Sequence, residues 1–190
     1  MTPFANFEKR MAQMAKSFDG QIGTIAFNNI SGQWCQKFLN NMAISAGLTY
    51  HAGKLPPNNG QMSASNTWHV LQWLRGNGYI AEALNPIVNG VLTNGQIPKA
   101  QDPPKIGDWV YLLSKRGAQQ SPPDNTSHVE MVVEIDSYNP YRVKLCGGDV
   151  ISGANQIVKV RDWVDLQNMN PQSLDDYYYV AHGHPFWQMP

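Results

Sequence analysis

Ser127-His128-Val129-Glu130-Met131-Val132-Val133 alternates with the two-residue period of a strand, and its branched side chains favour extended backbone. The pattern predicts a strand from His128 to Ile135. It sets His128, Glu130 and Val132 on one face and Val129, Met131 and Val133 on the other. A polar loop over 114–127, holding Pro122-Pro123, precedes it. Before that loop, Gly107-Asp108 opens a strand from Trp109 to Leu113. Ser137-Tyr138-Asn139-Pro140 is a turn leading into a third strand, Arg142 to Cys146. Gln156 to Val160 and Tyr177 to Ala181 are read as further strands that complete an antiparallel sheet. Residues 79–105 carry Asn-Gly pairs and Pro103-Pro104, which mark turns, and give no element.

The chain upstream changes period. Phe4, Phe7, Met11, Met14 and Phe18 are spaced by three and four, as on one face of a helix. Its polar face is not strongly basic, so it reads as a packing helix rather than a membrane-active one. Ser31 is placed as an N-cap for a second helix, whose inward face is Cys35, Phe38, Leu39, Met42, Ala43 and Ala46, with Gly47 as its stop. A loop with Pro56-Pro57-Asn58-Asn59-Gly60 at its centre follows. Asn66 then caps a further helix with Trp68, Leu71, Trp73 and Leu74 as its apolar set. Helices first and strands after is the α+β pattern, with N-terminal helices packed on an antiparallel sheet.

The totals bound the function. The 190 residues suit one domain with a real core, and 42% apolar residues argue against disorder. Lys plus Arg and Asp plus Glu are 14 each, without a basic run, so a nucleic-acid partner is not expected. No apolar stretch reaches the ~20 residues of a membrane span. Met1 to Gly20 lacks the apolar core of a secretory signal. Two cysteines, Cys35 and Cys146, are too few for a disulfide framework.

Cys35 and His128 carry the chemistry. A thiol in the first turn of a helix lies at the positive end of the helix dipole, where ionisation is favoured. A histidine opening a strand can serve as its base. Asp149, after Cys146-Gly147-Gly148, is placed to orient the imidazole, and Glu130, two residues after His128, competes for that role. The Gln33 amide and the Cys35 backbone N–H are candidate oxyanion donors, with Trp34 beside them. Cys146 is either a strand-core residue or an oxidative partner of Cys35. His182-Gly183-His184 has a spacing that can bind zinc, although two imidazoles alone make a weak metal site. The bland reading of Cys35 is a small packed hydrophobe.

Four segments in order resemble the CHAP and NlpC-type papain-like amidase superfamily. They are Gln33-Trp34-Cys35-Gln36-Lys37-Phe38, Gly107-Asp108-Trp109-Val110-Tyr111, Ser127 to Val133, and Gly147-Gly148-Asp149. Ser127 stands where that group usually has glycine, and Asp149 where Asn or Glu is common. The resemblance implies a single catalytic domain over 1–190: a helical extension at 1–30, a papain-like core at 31–160, and a C-terminal strand and tail at 161–190. It implies Cys35 as nucleophile, His128 as base and Asp149 as orienting group, with no metal or cofactor. The implied substrate is an amide bond of bacterial peptidoglycan. The implied setting is a secreted antibacterial effector or a phage lysin. Such a protein is made in the cytoplasm without a signal peptide and acts, as a monomer, in the periplasm or wall of the target cell. An immunity protein is the expected partner of an effector. The same residue order also serves transglutaminase-like deamidases acting on protein glutamine, and a non-catalytic binding protein is the remaining alternative.

Overall fold

The structure, a computed structural model, describes residues 3–23, 34–46, 103–119, 127–152 and 155–183, together with 67, 70, 71, 76, 80–82, 87–88 and 91–92. Its architecture is α+β, with helices packed on one face of an antiparallel sheet. Helix α1 (Pro3–Ser17) buries Phe7, Met11, Ala12 and Ala15. Helix α2 (Cys35–Ser45) buries Cys35, Phe38, Leu39, Met42 and Ala43, the inward face expected from their spacing. The two helices pack on each other, and both lie over the centre of the sheet. Of the helix expected after Asn66, Thr67, Val70 and Leu71 are helical and buried, while Trp68, Trp73 and Leu74 lie outside the described residues.

The strands are β1 (Ile80–Glu82), β2 (Ile87–Val88), β3 (Val91–Leu92), β4 (Trp109–Ser114), β5 (His128–Ile135), β6 (Arg142–Ser152), β7 (Asn155–Val160), β8 (Val164–Asp165) and β9 (Tyr177–Gly183). The main sheet runs β1-β9-β4-β5-β6-β7, with β8 pairing on β6, and β2 and β3 form a separate hairpin. The alternation read in β5 holds. Val129, Met131 and Val133 join the helix-side core with Trp109, Tyr111 and Leu113. Val132 joins a second core on the opposite face with Val110, Leu112, Val143, Leu145, Leu166 and Tyr179. Both faces are covered, which leaves β5 buried in the middle of the sheet.

Gly107-Asp108 anchors the start of β4. Gly107 takes φ 93°, open to glycine, and its Cβ position is filled by Glu8. The Asp108 carboxylate accepts the Lys105 N–H at 2.7 Å and closes the turn. Three expectations change. The third strand does not stop at Cys146 but continues to Ser152, because Gly147 and Gly148 let the backbone pass where β-carbons would collide with Glu130 and Trp34. The strand bulges there, shifting register between Gly147 and Val150. Within the expected 114–127 loop, Ser114 caps a single helical turn, α3 (Lys115–Ala118), through a 3.0 Å bond from the Gly117 N–H to Oγ. Residues 79–105, without a periodic signal, contain β1 and the β2–β3 hairpin, which are two or three residues long.

Candidate active site

Helix α2 begins at Cys35. Trp34 holds the cap position, since its carbonyl accepts the Phe38 N–H at 2.9 Å. Ser31, the expected cap, and Gln33, the expected oxyanion donor, lie outside the described residues. Tryptophan has no side-chain acceptor to cap a helix, and the bulge in β6 supplies one from a distance. Asp149 Oδ2 accepts the Trp34 N–H at 3.2 Å. The Trp34 ring is fully buried. It meets Phe38 edge to face at 6.3 Å, and its Nε1–H donates to Gln156 Oε1 at 3.3 Å. Gly148 makes room for that ring: an alanine Cβ there would lie 2.3 Å from it. Trp34 thus anchors the helix start, and the Cys35 N–H falls in the first turn, where backbone donors have no intrahelical partner.

The structure brings His128 to Cys35. The imidazole is buried, hydrogen-bonded to the Cys35 side chain, and its Nε2 lies 2.9 Å from Glu130 Oε1. Glu130 reaches it because residues two apart on a strand share a face. Glu130 is fully buried and also accepts from Arg161 Nε, at 2.7 Å to one carboxylate oxygen and 2.8 Å to the other. Tyr177, opening β9, stacks on the His128 ring with centroids 5.3 Å apart and planes 27° from parallel, and the Arg161 guanidinium lies 5.2 Å from the other ring contact, the Tyr177 centroid.

Charge follows from these contacts. Burial works against protonation of His128, but hydrogen bonds to Cys35 and Glu130, and their negative charges, hold its pKa well above the ordinary range. Burial likewise works against ionisation of Glu130. The Arg161 charge and the His128 hydrogen bond outweigh it and hold the carboxyl below its ordinary range. Asp149 goes the other way. Burial raises its pKa, and the Trp34 N–H and the His128 charge offset this only in part. Asp149 also sits at φ 66°, a left-handed conformation rare for a residue with a side chain.

The remaining expected residues lie elsewhere. Cys146 is fully buried and directs its thiol to the Ala15 carbonyl at 3.4 Å, both cysteines are free, and burial pushes the Cys146 thiol far up. His182 shares a 2.5 Å hydrogen bond through Nδ1 with the Tyr179 hydroxyl, and His184 lies outside the described residues. Among the described residues, no group of three His, Cys, Asp or Glu is placed to hold a metal, and no helix is long and apolar enough to cross a membrane. Arg161 and Tyr177 belong to the site and were not singled out from the sequence. The signal for Arg161 is faint: a cation just past the end of β7, two residues after Lys159 and two strands from a buried acid. Compared with known proteins, the chain matches no family model, no curated protein and no solved structure.

Proposed function

We propose that this chain is a papain-like cysteine hydrolase that cleaves an amide bond in bacterial cell-wall peptide. The observation that carries the proposal is the chain Cys35–His128–Glu130–Arg161, in which a buried imidazole bonds a helix-terminal thiol and an ionised carboxylate together. The choice of substrate rests on the ordered motifs around Cys35, Gly107-Asp108, His128 and Gly147-Gly148-Asp149.

In this reading Glu130 is the orienting acid. Its carboxylate accepts from Nε2–H of His128, which leaves Nδ1 for the thiol. His128 takes the Cys35 proton, and the thiolate attacks the substrate carbonyl carbon. The Cys35 backbone N–H, at the positive end of α2, stabilises the oxyanion. His128 then protonates the leaving amine as the C–N bond breaks, giving a thioester. Water, losing a proton to His128, attacks the thioester. The acid product leaves, and the proton returns to the thiolate. Asp149 holds the entrance of α2, and so the position of Cys35, through the Trp34 N–H.

Purified peptidoglycan digested with the wild-type chain and with Cys35→Ala, followed by mass spectrometry of the fragments, tests the proposal. New fragments with the wild type alone are expected, and they name the bond. Equal digestion by Cys35→Ala, or an intact wall after treatment with folded wild type, overturns it.

A further inference from the structure

Tyr177 opens β9 opposite Ser114, and His128 opens β5 opposite Leu112, so β4 runs between them. Two strand spacings, about 10 Å, separate their backbones across the sheet. The Tyr177 side chain crosses that gap and lays its ring on the flat face of the buried imidazole, with centroids 5.3 Å apart and planes 27° from parallel. Arg161 arrives from the opposite side. It sits just past the end of β7, where its N–H donates to the Leu145 carbonyl of β6 at 2.8 Å. Its Nε donates to both Glu130 oxygens, at 2.7 and 2.8 Å. Its guanidinium lies 5.2 Å from the Tyr177 centroid and bonds the Tyr177 hydroxyl. Glu130 in turn lies 2.9 Å from His128 Nε2. These contacts close a ring of four side chains, His128, Glu130, Arg161 and Tyr177, that spans the sheet from β9 to the end of β7.

The edge bonds to Glu130 and Cys35 fix where the imidazole nitrogens lie, but a ring held at two edges can still tilt about the line between them. A partner on the flat face removes that freedom. The constraint matters most during proton transfer. In the proposed reaction the thiolate leaves His128 to attack the carbonyl, and the imidazole then protonates the leaving amine. At that moment the Cys35 bond is gone, and Glu130 and Tyr177 remain to hold the ring. The Tyr177 face also attracts the imidazolium, because the aromatic quadrupole is negative above the ring. The charged groups around the imidazole are Cys35 from α2, Glu130 from β5, Asp149 from β6 and, beyond Glu130, Arg161. An aliphatic residue at 177 would fill space but would supply neither a flat nor a negative face.

We infer that Tyr177 is a positioning residue whose ring fixes the plane of the His128 imidazole and favours the imidazolium, with Arg161 holding that ring in place. The inference rests on His128 being the base of the proposed reaction.

The test is an NMR titration of protein labelled with nitrogen-15 histidine, in the wild type, Tyr177→Phe and Tyr177→Leu. The His128 signals are identified by their loss in His128→Gln. Tyr177→Phe gives up the hydroxyl bond to Arg161 but keeps the stacked face, so His128 should titrate close to the wild type. In Tyr177→Leu it should titrate at lower pH. Peptidoglycan turnover should fall about tenfold in Tyr177→Leu, the worth of a desolvated cation–π contact, and be restored in Tyr177→Phe. A Tyr177→Leu titration that overlays the wild type, or a Tyr177→Phe titration displaced as far as that of Tyr177→Leu, overturns the inference and, where the wild type digests the wall, leaves the hydrolase reading standing. A wall left intact by folded wild type overturns the hydrolase reading and, with it, the part of Tyr177 in the reaction. Should Tyr177→Leu fold poorly, pentafluorophenylalanine introduced at position 177 keeps the ring and reverses the sign of its face. The titration then moves to lower pH, and an unmoved curve again overturns the inference.

Discussion

Glu130, on the buried run of β5, and Asp149, in the bulge of β6, both act electrostatically with His128, and burial has opposite outcomes for them. Glu130 is the more deeply buried, yet its carboxyl is held below the ordinary range. Asp149 is only half-buried, yet it is raised. The difference lies in what each carboxylate receives. Glu130 accepts from Arg161 and His128, two groups that carry or can carry positive charge. Asp149 accepts one backbone N–H and feels His128 without comparable help. Compensation, rather than depth, decides whether a buried acid keeps its charge. By that criterion Glu130 is built to stay an anion against His128, and Asp149 is built to hold a helix end.

The largest expected effect comes from exchanging each acid for its amide. Glu130→Gln keeps the shape but removes the charge between Arg161 and His128. On the proposed function, peptidoglycan turnover should fall by a factor of roughly 100 to 10,000, and urea unfolding should show about 3 kcal/mol lost from breaking a buried pair. Asp149→Asn keeps an acceptor for the Trp34 N–H and a residue tolerant of left-handed backbone, so turnover should stay within about threefold of wild type, since the hydrogen bond that holds the helix end is kept. Equal losses in the two variants would break the comparison and return the orienting role to Asp149.

The two glycines before Asp149 sharpen the contrast. A Cβ on Gly147 would lie 2.6 Å from Glu130 Cγ, and one on Gly148 would lie 2.3 Å from the Trp34 ring and 2.8 Å from Phe38 Cβ. Glu130 is pinned by Arg161 and Trp34 by its own packing, so neither neighbour gives way freely. Each Gly→Ala change should lower stability by about 1–3 kcal/mol, as overpacking does. Gly147→Ala should in addition depress turnover beyond what its thermal midpoint predicts, because it displaces the acid behind His128. Turnover measured well below each midpoint separates the two effects.

These glycines also show what the sequence made legible. Strand β5, the faces of its residues and the inward face of α2 were readable because hydrophobic period maps directly onto geometry. Cys35 and His128 were readable because each sits at an element end with distinctive chemistry. Glu130 was visible as a competitor because alternation put it on the face of His128. Which acid meets which partner was not readable. It depends on the bulge that turns Asp149 toward Trp34, and a bulge is set by tertiary crowding rather than by period. Arg161 and Tyr177 are hidden for a related reason: β7 and β9 reach the site through sheet pairing across long separations, and neither the Lys159-Val160-Arg161 segment nor the Tyr177-Tyr178-Tyr179 run marks which of its members meets the buried acid and imidazole. The short strands within residues 79–105 offered too few residues for alternation to register.

The smallest expected effect is on stability against pH. A carboxyl lowered by folding adds stability above its ordinary value, near 4.5 for glutamate, and that stability is lost as pH falls through the folded value. A carboxyl raised by folding does the reverse: its ionisation works against the fold, and stability recovers as pH falls through the folded value toward 3.8. In the wild type the two acids therefore partly cancel on the acid side. Asp149→Asn removes the offset, so its urea midpoint should be equal or slightly higher at neutral pH, by well under about 1 kcal/mol for a half-exposed group, and should fall more steeply in acid. Glu130→Gln should lose the steep acid limb. His128 acts at the other end. Its raised pKa gives stability that is complete below the ordinary value of 6.5 and is lost as pH rises through the folded one. Removing Glu130 removes an anionic partner of the imidazole and lowers the folded value, so the alkaline loss should be smaller and end at lower pH in Glu130→Gln, and stay in place in Asp149→Asn. Urea midpoints followed from the carboxylate range to the alkaline side check this, and an alkaline limb that moves with Asp149 instead would make Asp149 the stronger partner of the imidazole.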